Sequence, residues 1–221
     1  MSRPWSYSRK GTYTDCPKQY WYKYVERLPG FRPASTAASR GQTIHAAAED
    51  YLKAGVMYPK ELQKVAGHAM AIKGRKAIPE LKYAVTETWE ACDYEAPEAY
   101  FRGIIDITYE SDEGKTLHIE DWKTGQVYPE HAKQLEEYVA LAAPQWPLAE
   151  EYATRLIYID QGVVTPIKKY AKEKLKPIRI MMDAVIQSAE SDTIFPETPS
   201  TSACRWCDYH AKHGGPCTKG R

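Results

Sequence analysis

The chain has 221 residues, 43% of them hydrophobic, which is enough for a sizeable core and excludes a disordered composition. No apolar run approaches the ~20 residues needed to span a bilayer. The start, MSRPWSYSRK, has no apolar h-region, so the expected compartment is the cytoplasm. Length favours a single domain over 1–221: a core over about 40–190, an N-terminal helical arm over 1–39 and a Cys-rich segment over 195–221.

The formal net charge of +1 hides segregation. Residues 1–44 carry eight Lys/Arg and two acidic residues, whereas residues 80–151 carry seventeen Asp/Glu and five Lys/Arg. A basic, aromatic-rich arm beside an acidic middle suits a polyanionic partner together with a cation site, although ordinary surface patchiness gives the same count.

In chain order, TYTDCPKQYWYKYVERL (12–28) reads as one helix capped by Thr14 or Asp15, with Pro17 at an early position. A Pro/Gly loop over 29–36 follows. Residues 40–54 read as a helix with Ile44, Ala48 and Tyr51 at helical spacing. A further helix over 59–77 is expected to end at Pro79. Strands are expected over 83–91, 99–110 and 116–123, the last two joined by a turn in SDEGK (111–115). A helix over 129–143, strands over 151–160 and 163–170, and a helix over 171–190 complete the core. This order implies a mixed α/β fold, with hairpins in mid-sheet.

The stretch IEDWKTG (119–125) puts Asp121 and Lys123 on one strand face, because strand side chains alternate. A turn centred near Glu113 sets Asp106 of GIID opposite Glu120 or Asp121. Two close carboxylates among isoleucines repel, so either one is protonated or a cation joins them. Hard divalent ions favour such oxygen clusters, and Mg²⁺ combines a few carboxylates with water and substrate phosphate. Lys123 would then stabilise developing charge on a phosphate, a minimal apparatus for phosphodiester hydrolysis. A salt-bridge ladder on an edge strand is the bland alternative.

His45, in RGQTIHAAAE, shares a helix face with Glu49 and is the better cation ligand of the two. Gln134 and Tyr138 lie four apart on another helix, and Glu87 is a weaker acidic candidate in the first strand. Cys204-x-x-Cys207 with Cys217 has metal-ligand spacing, and Cys16 is the obvious fourth ligand. Spacing leaves both tetrahedral Zn²⁺ and [4Fe–4S] open. His210 and His213, inside the Cys207–Cys217 loop, are lesser ligand candidates, and Cys92 reads as a small buried residue.

Gly41-x-x-x-His45, GIID with Asp106, IEDWKTG with Asp121 and Lys123, and Gln134-x-x-x-Tyr138, taken in that order, resemble the PD-(D/E)XK nuclease superfamily. The match is to its branch of RecB-type nuclease domains and CRISPR-associated spacer-processing nucleases. That resemblance implies a restriction-endonuclease-like mixed sheet flanked by helices. It implies a catalytic Mg²⁺ or Mn²⁺ held by His45, Asp106, Asp121 and the Trp122 carbonyl. Lys123 would be the catalytic lysine, with Gln134 and Tyr138 lining the site and contacting DNA. Glu87 matches a common acidic position of the preceding strand, and Glu120 departs from the hydrophobic residue usual before this aspartate. DCPKQYWYKY and CRWCDYHAKHGGPC look like the two halves of that branch's [4Fe–4S] site, with a longer gap before Cys217 than many members show.

The expected activity is a metal-dependent DNA nuclease, acting as an exonuclease at DNA ends in recombination, repair, phage DNA metabolism or spacer acquisition. An endonuclease of the same fold and a non-catalytic nucleic-acid-binding module with a structural metal are the alternatives. Expected partners are DNA with single-stranded ends and recombination or replication proteins. Lys10, Lys18, Lys23, Arg27, Arg32 and Arg40, interleaved with the aromatics from Trp5 to Tyr24, could track phosphates and stack on bases. KKYAKEKLK (168–176) is a second basic run, explained as well by a solvated helix face.

Overall fold

A computed structural model describes residues 4–33, 36–54 and 59–220, with the backbone alone at 36–38. Positions 34 and 35 of the expected Pro/Gly loop lie outside the described residues. The chain divides into two compact units, one comprising Met1–Pro4 and Ala37–Ile180, the other Trp5–Thr36 and Met181–Arg221.

The larger unit is built on a seven-stranded sheet. Its strands are β1 (Ile78–Val85), β2 (Ala91–Cys92), β3 (Phe101–Ser111), β4 (Thr116–Lys123), β5 (Glu151–Tyr158), β6 (Val163–Val164) and β7 (Lys168–Ala171). Their spatial order is β2-β1-β3-β4-β5-β6, with β7 also paired to β5. β1 runs antiparallel to β3 and β3 to β4, whereas β5 lies parallel to β4. The parallel step needs a crossover, which α5 (His131–Ala142) supplies. This is the expected mixed α/β architecture.

Helices α3 (Thr36–Ala54) and α4 (Ala66–Gly74) complete the apolar packing. Ile44, Ala48 and Tyr51 of α3 recur at helical spacing and bury against Ile107, Tyr109, Trp122 and Ile157 of the sheet, together with Ala69 and Ile72 of α4. The segment before α4 is a tighter 3₁₀ turn, Lys60–Val65, so the helix expected over 59–77 forms as two pieces. α5 packs on β1, β3, β4 and β5.

The first strand lies earlier than expected. Pro79 does not end a helix but sits inside β1, where it is tolerated because β2 covers only Ala84 and Val85, leaving the other end of β1 as an edge. The basic run from Lys168 likewise begins as strand β7, and the last long helix is α6 (Leu175–Ser191).

The smaller unit contains α1 (Tyr7–Asp15), α2 (Pro17–Tyr20), α7 (Thr201–Arg205) and the C-terminal part of α6. One helix over 12–28 was expected, and two occur. Ser6 caps α1 by accepting from the Arg9 N–H at 3.2 Å. Cys16 breaks the helix with an extended backbone, φ −161° and ψ 108°, because the residue before a proline is pushed out of the helical region. Pro17 then starts α2, which widens into a π-turn over Trp21–Val25. Trp5, Tyr20 and Tyr24 surround the Arg9 guanidinium, which lies 4.4 Å from the Trp5 ring centre. Several aromatics of the basic arm are therefore core-forming within this unit.

Candidate active site

β4 has the bounds its sequence predicts, and Asp121 and Lys123 share a face. Lys123 Nζ lies 2.6 Å from Asp121 Oδ2, an oxygen that is otherwise without a hydrogen-bond partner. The same ammonium donates to Gln134 Oε1 at 2.7 Å, and Gln134 Nε2 donates to Tyr138 OH at 2.6 Å. A line of polar groups thus runs from the strand onto one face of α5, as the four-residue spacing requires. Gly103 of β3 lets α5 come this close: a Cβ there would stand 3.0 Å from Leu141 Cδ2 and 3.5 Å from Tyr138 Cε1.

Asp106 sits where the sheet is interrupted on both sides. Its ladder to β4 ends at the Ile107–Glu120 pair, and the register continues the hairpin so that Asp106 falls level with Asp121. Opposite β1, pairing passes from Leu81–Ile105 to Pro79–Ile107 and skips Glu80, whose φ of 52° is left-handed. A glutamate in that region is strained by roughly 1–3 kcal/mol, a cost that clusters at functional sites. Asp106 Oδ2 replaces the missing ladder acceptor by taking the Trp122 N–H at 2.7 Å. Lys123 O bonds across to Ile159 N, so the N–H and C=O of Trp122 both point the other way, into the gap beside Asp106.

His45 Nδ1 from α3 reaches this gap, 3.6 Å from Asp106 Oδ2 and 3.7 Å from Glu80 Oε1. Ligand atoms of His45, Glu80 and Asp106 all lie within 4.8 Å of one another. Gly41, one turn before His45, stands against Thr124 at the end of β4, where a Cβ would meet Oγ1 at 3.3 Å. Glu49 lines the same cleft, together with Ala48, Pro79 and Trp122.

Burial and mutual repulsion set the protonation. Asp106 is pushed up to about 8, first by desolvation and then by Asp121, against the pull of His45 and the Trp122 N–H. Desolvation also raises Asp121, against Lys123. His45 is raised by its contact with Glu80 despite burial. Tyr138 is raised by burial and by the two aspartates, so its hydroxyl stays protonated. Burial and the nearby Lys123 charge lower His131, at the start of α5, and keep it neutral near pH 7.

Glu80 is the residue that sequence reasoning missed. Pro79 suggested a helix end, which hid the alternating apolar residues Leu81, Tyr83 and Val85 that mark the strand. Glu87, the acidic residue expected in the first strand, lies instead in the exposed turn after β1. Glu120 faces away from Asp121 and is buried. It meets His68 Nε2 of α4 at 2.7 Å, Arg155 Nε at 2.9 Å and the Tyr109 hydroxyl at 2.8 Å.

In the smaller unit, Cys16, Cys204, Cys207 and Cys217 line one cleft that is partly open to solvent. All four are free thiols. Burial raises Cys207, and the other three thiols add to the effect. The long loop to Cys217 folds back on itself: Cys217 N donates to Tyr209 O and Ala211 N to Cys217 O. Gly215 permits this, since a Cβ there would collide with the Tyr209 backbone at 2.4 Å. His210 and His213 are absent from the cavity lining, and the His210 Nδ1 is engaged by the Lys212 N–H.

Two solved structures resemble the chain throughout. One, described as "Crystal structure of SSO0001", is 14% identical, with 96% of this chain and 85% of that chain covered and a TM-score of 0.46. The other, a "Putative exonuclease" from Eubacterium rectale, is 11% identical, with 99% of this chain and 90% of that chain covered and a TM-score of 0.56. The second likeness speaks for the fold. No curated protein matches the sequence. The family model of the PD-(D/E)XK nuclease superfamily matches residues 4–211, a span that includes the whole sheet, Asp106, Asp121 and Lys123, and the Gln134–Tyr138 pair of α5, and the chain belongs to that superfamily.

Proposed function

We propose that this nuclease is a divalent-metal-dependent deoxyribonuclease that works as an exonuclease at DNA ends, of the RecB-type and CRISPR-associated kind. The observation that carries the reading is the gathering of His45, Glu80 and Asp106 at one interrupted point of the sheet, with the Asp121–Lys123 pair close enough for Asp121 to act on Asp106. The donor set fits a hard cation: two buried carboxylates disfavour their shared charge, Asp121 Oδ2 has only the Lys123 ammonium, and the Trp122 carbonyl faces the gap. His45, Asp106, Asp121 and that carbonyl would hold Mg²⁺ or Mn²⁺, and Glu80 joins them. When bound, the ion supplies an activated water and polarises the scissile phosphate.

The remaining chemistry belongs to the chain. Lys123 places a positive charge beside the reacting phosphate, and Gln134 orients its ammonium. Tyr138, protonated, fixes Gln134 by accepting from its amide. The Eubacterium rectale structure, whose printed name is "Putative exonuclease", favours an end-directed mode over the endonuclease alternative. The test is cleavage of end-labelled linear DNA and of circular single-stranded DNA, with Mg²⁺, Mn²⁺ or EDTA. Metal-dependent shortening of linear strands with intact circles is expected. Cut circles would make the enzyme an endonuclease, and cleavage in EDTA would remove the metal from the account.

At the cysteines the reading is a [4Fe–4S] cluster. The four cysteines line one cleft together with Lys18, Lys219 and Glu197, two cations against one anion, which offsets part of the charge of a negative cluster. Brown protein with a broad band near roughly 400 nm after anaerobic purification is the expected result. Colourless protein with one zinc per chain would replace the cluster by zinc.

A further inference from the structure

The loop between β4 and α5, residues 124–130, leaves the catalytic Lys123 directly. It is pinned at both ends. Asp160 Oδ2 accepts the Gly125 N–H at 2.7 Å, and Gln161 Nε2 donates to Gly125 O at 3.2 Å. Asp160 is itself gripped by the Arg40 guanidinium through two oxygens. At the other end, Tyr128 O accepts from the His131 N–H at 3.2 Å and from the Tyr158 hydroxyl at 3.4 Å.

Between these anchors the loop turns apolar groups outward. Val127 is 52% exposed and Tyr128 50% exposed, although neither is needed for the core. The Tyr128 ring meets His131 edge-on at 5.5 Å between centroids, and His131 stacks on Tyr158 at 5.7 Å. His131, Gln134 and Tyr138 fall at i, i+3 and i+7 on α5 and so share a face. Tyr128 therefore extends the row of site residues by one aromatic step toward solvent. Exposed Lys133, in the first turn of α5, adds positive charge on the helix that follows the loop.

A fixed backbone that displays an aromatic ring at the mouth of a phosphodiester-cleaving site suits one kind of ligand. We infer that Tyr128, with Val127 beside it, is a stacking subsite for the unpaired nucleobase adjoining the scissile phosphate. A base inside a duplex is stacked on both faces and cannot turn toward the ring, whereas an unpaired one can, so this contact favours single-stranded ends. The inference deepens the nuclease reading and rests on it for the identity of the substrate, but stacking is measurable without cleavage.

The test uses the full-length protein, kept metal-free in EDTA, and single-stranded oligonucleotides with 2-aminopurine at each of the terminal positions in turn. Wild type is expected to quench one position or a neighbouring pair, Tyr128→Phe to do the same, and Tyr128→Ala to lose that quenching with affinity reduced about ten-fold, within the range of one base–aromatic stack. With Mn²⁺ restored, an abasic residue at the quenched position is expected to slow wild type about ten-fold and to leave Tyr128→Ala unchanged. Equal quenching by wild type and Tyr128→Ala, or an abasic penalty of the same size in both, would overturn the inference. Quenching that depends on Tyr128 in a protein that cleaves nothing would keep the subsite and remove the nuclease reading. Melting curves of the variants distinguish these outcomes from misfolding, and Val127→Ser is a second, surface-only variant expected to weaken the same quenching.

Discussion

Asp106 and Asp121 are costly residues to bury side by side, and the chain accepts further cost to keep them there: Glu80 sits in a left-handed backbone conformation and two ladder pairs are given up around Asp106. A divalent cation bound between them would relieve this conflict. The sign of the pH effect follows. Asp106 holds its proton up to about 8 in the folded chain, against ~3.9 when unfolded. A raised folded value means that the folded state binds the extra proton, so its stabilising contribution is full below pH ~4 and is lost as pH rises through about 8. Metal-free protein is therefore expected to lose melting temperature between pH 5 and 8, in roughly that interval, and Mn²⁺ to restore it most at the alkaline end. A profile that does not change on adding metal would contradict this. Lys123→Ala is expected to lower cleavage on the order of 10²–10³-fold, as for removal of one charge-stabilising donor, and to lower the melting temperature of the metal-free protein, because the buried Asp121 Oδ2 loses its partner. Glu80→Gln is expected to raise the Mn²⁺ concentration needed for half-maximal activity while sparing the rate at saturation. If saturating metal fails to restore the rate, Glu80 does more than hold the ion.

At the scale of elements, two contacts decide whether the site is assembled. The first is the approach of α5 to β3 over Gly103. Gly103→Val would force Leu141 and Tyr138 outward, with an overpacking cost of about 1–3 kcal/mol readable in urea denaturation. Because Tyr138 and Gln134 move with the helix, the turnover rate should fall more than stability alone explains. The second is the buried Glu120 cluster on the opposite face of β4. Glu120→Ala would leave Arg155 without its carboxylate partner and is expected to cost about 3–5 kcal/mol. Much of this framework was legible in the sequence. The hairpin through SDEGK, the length of β4 and the shared face of Asp121 and Lys123 follow from strand alternation, which is local and strict. Glu80 was not legible, because Pro79 carries a stop signal that only the missing neighbour along that stretch of β1 cancels. The break at Cys16 was readable from Pro17, but the helical texture on both sides masked it. The inward turn of Glu120 depended on His68, Tyr109 and Arg155, partners from three other elements.

For the whole molecule, the two units draw on different sources of stability. The larger has a continuous apolar core between sheet and helices. The smaller unites residues 5–36 with 181–221, segments separated by residues 37–180, and its four thiols line one cleft. Joining such distant segments costs little more entropy than closing a moderate loop, because the penalty grows only logarithmically with length. If the four thiols hold the proposed cluster, Cys16→Ser is expected to bleach the protein and to open residues 5–36 and 181–221 to limited proteolysis while fragments spanning the sheet persist. Uniform resistance of a colourless variant would show that aromatic packing around Arg9 suffices. No helix among the described residues is long and apolar enough to cross a membrane.

The central claim is that one divalent ion joins His45, Asp106 and Asp121. An anomalous difference map from crystals soaked in Mn²⁺ tests it most directly. The account predicts a single strong peak between the two carboxylates, in contact with His45 Nδ1 and the Trp122 carbonyl. An empty cleft, with Asp106 and Asp121 turned apart and manganese bound elsewhere on the chain, would contradict it.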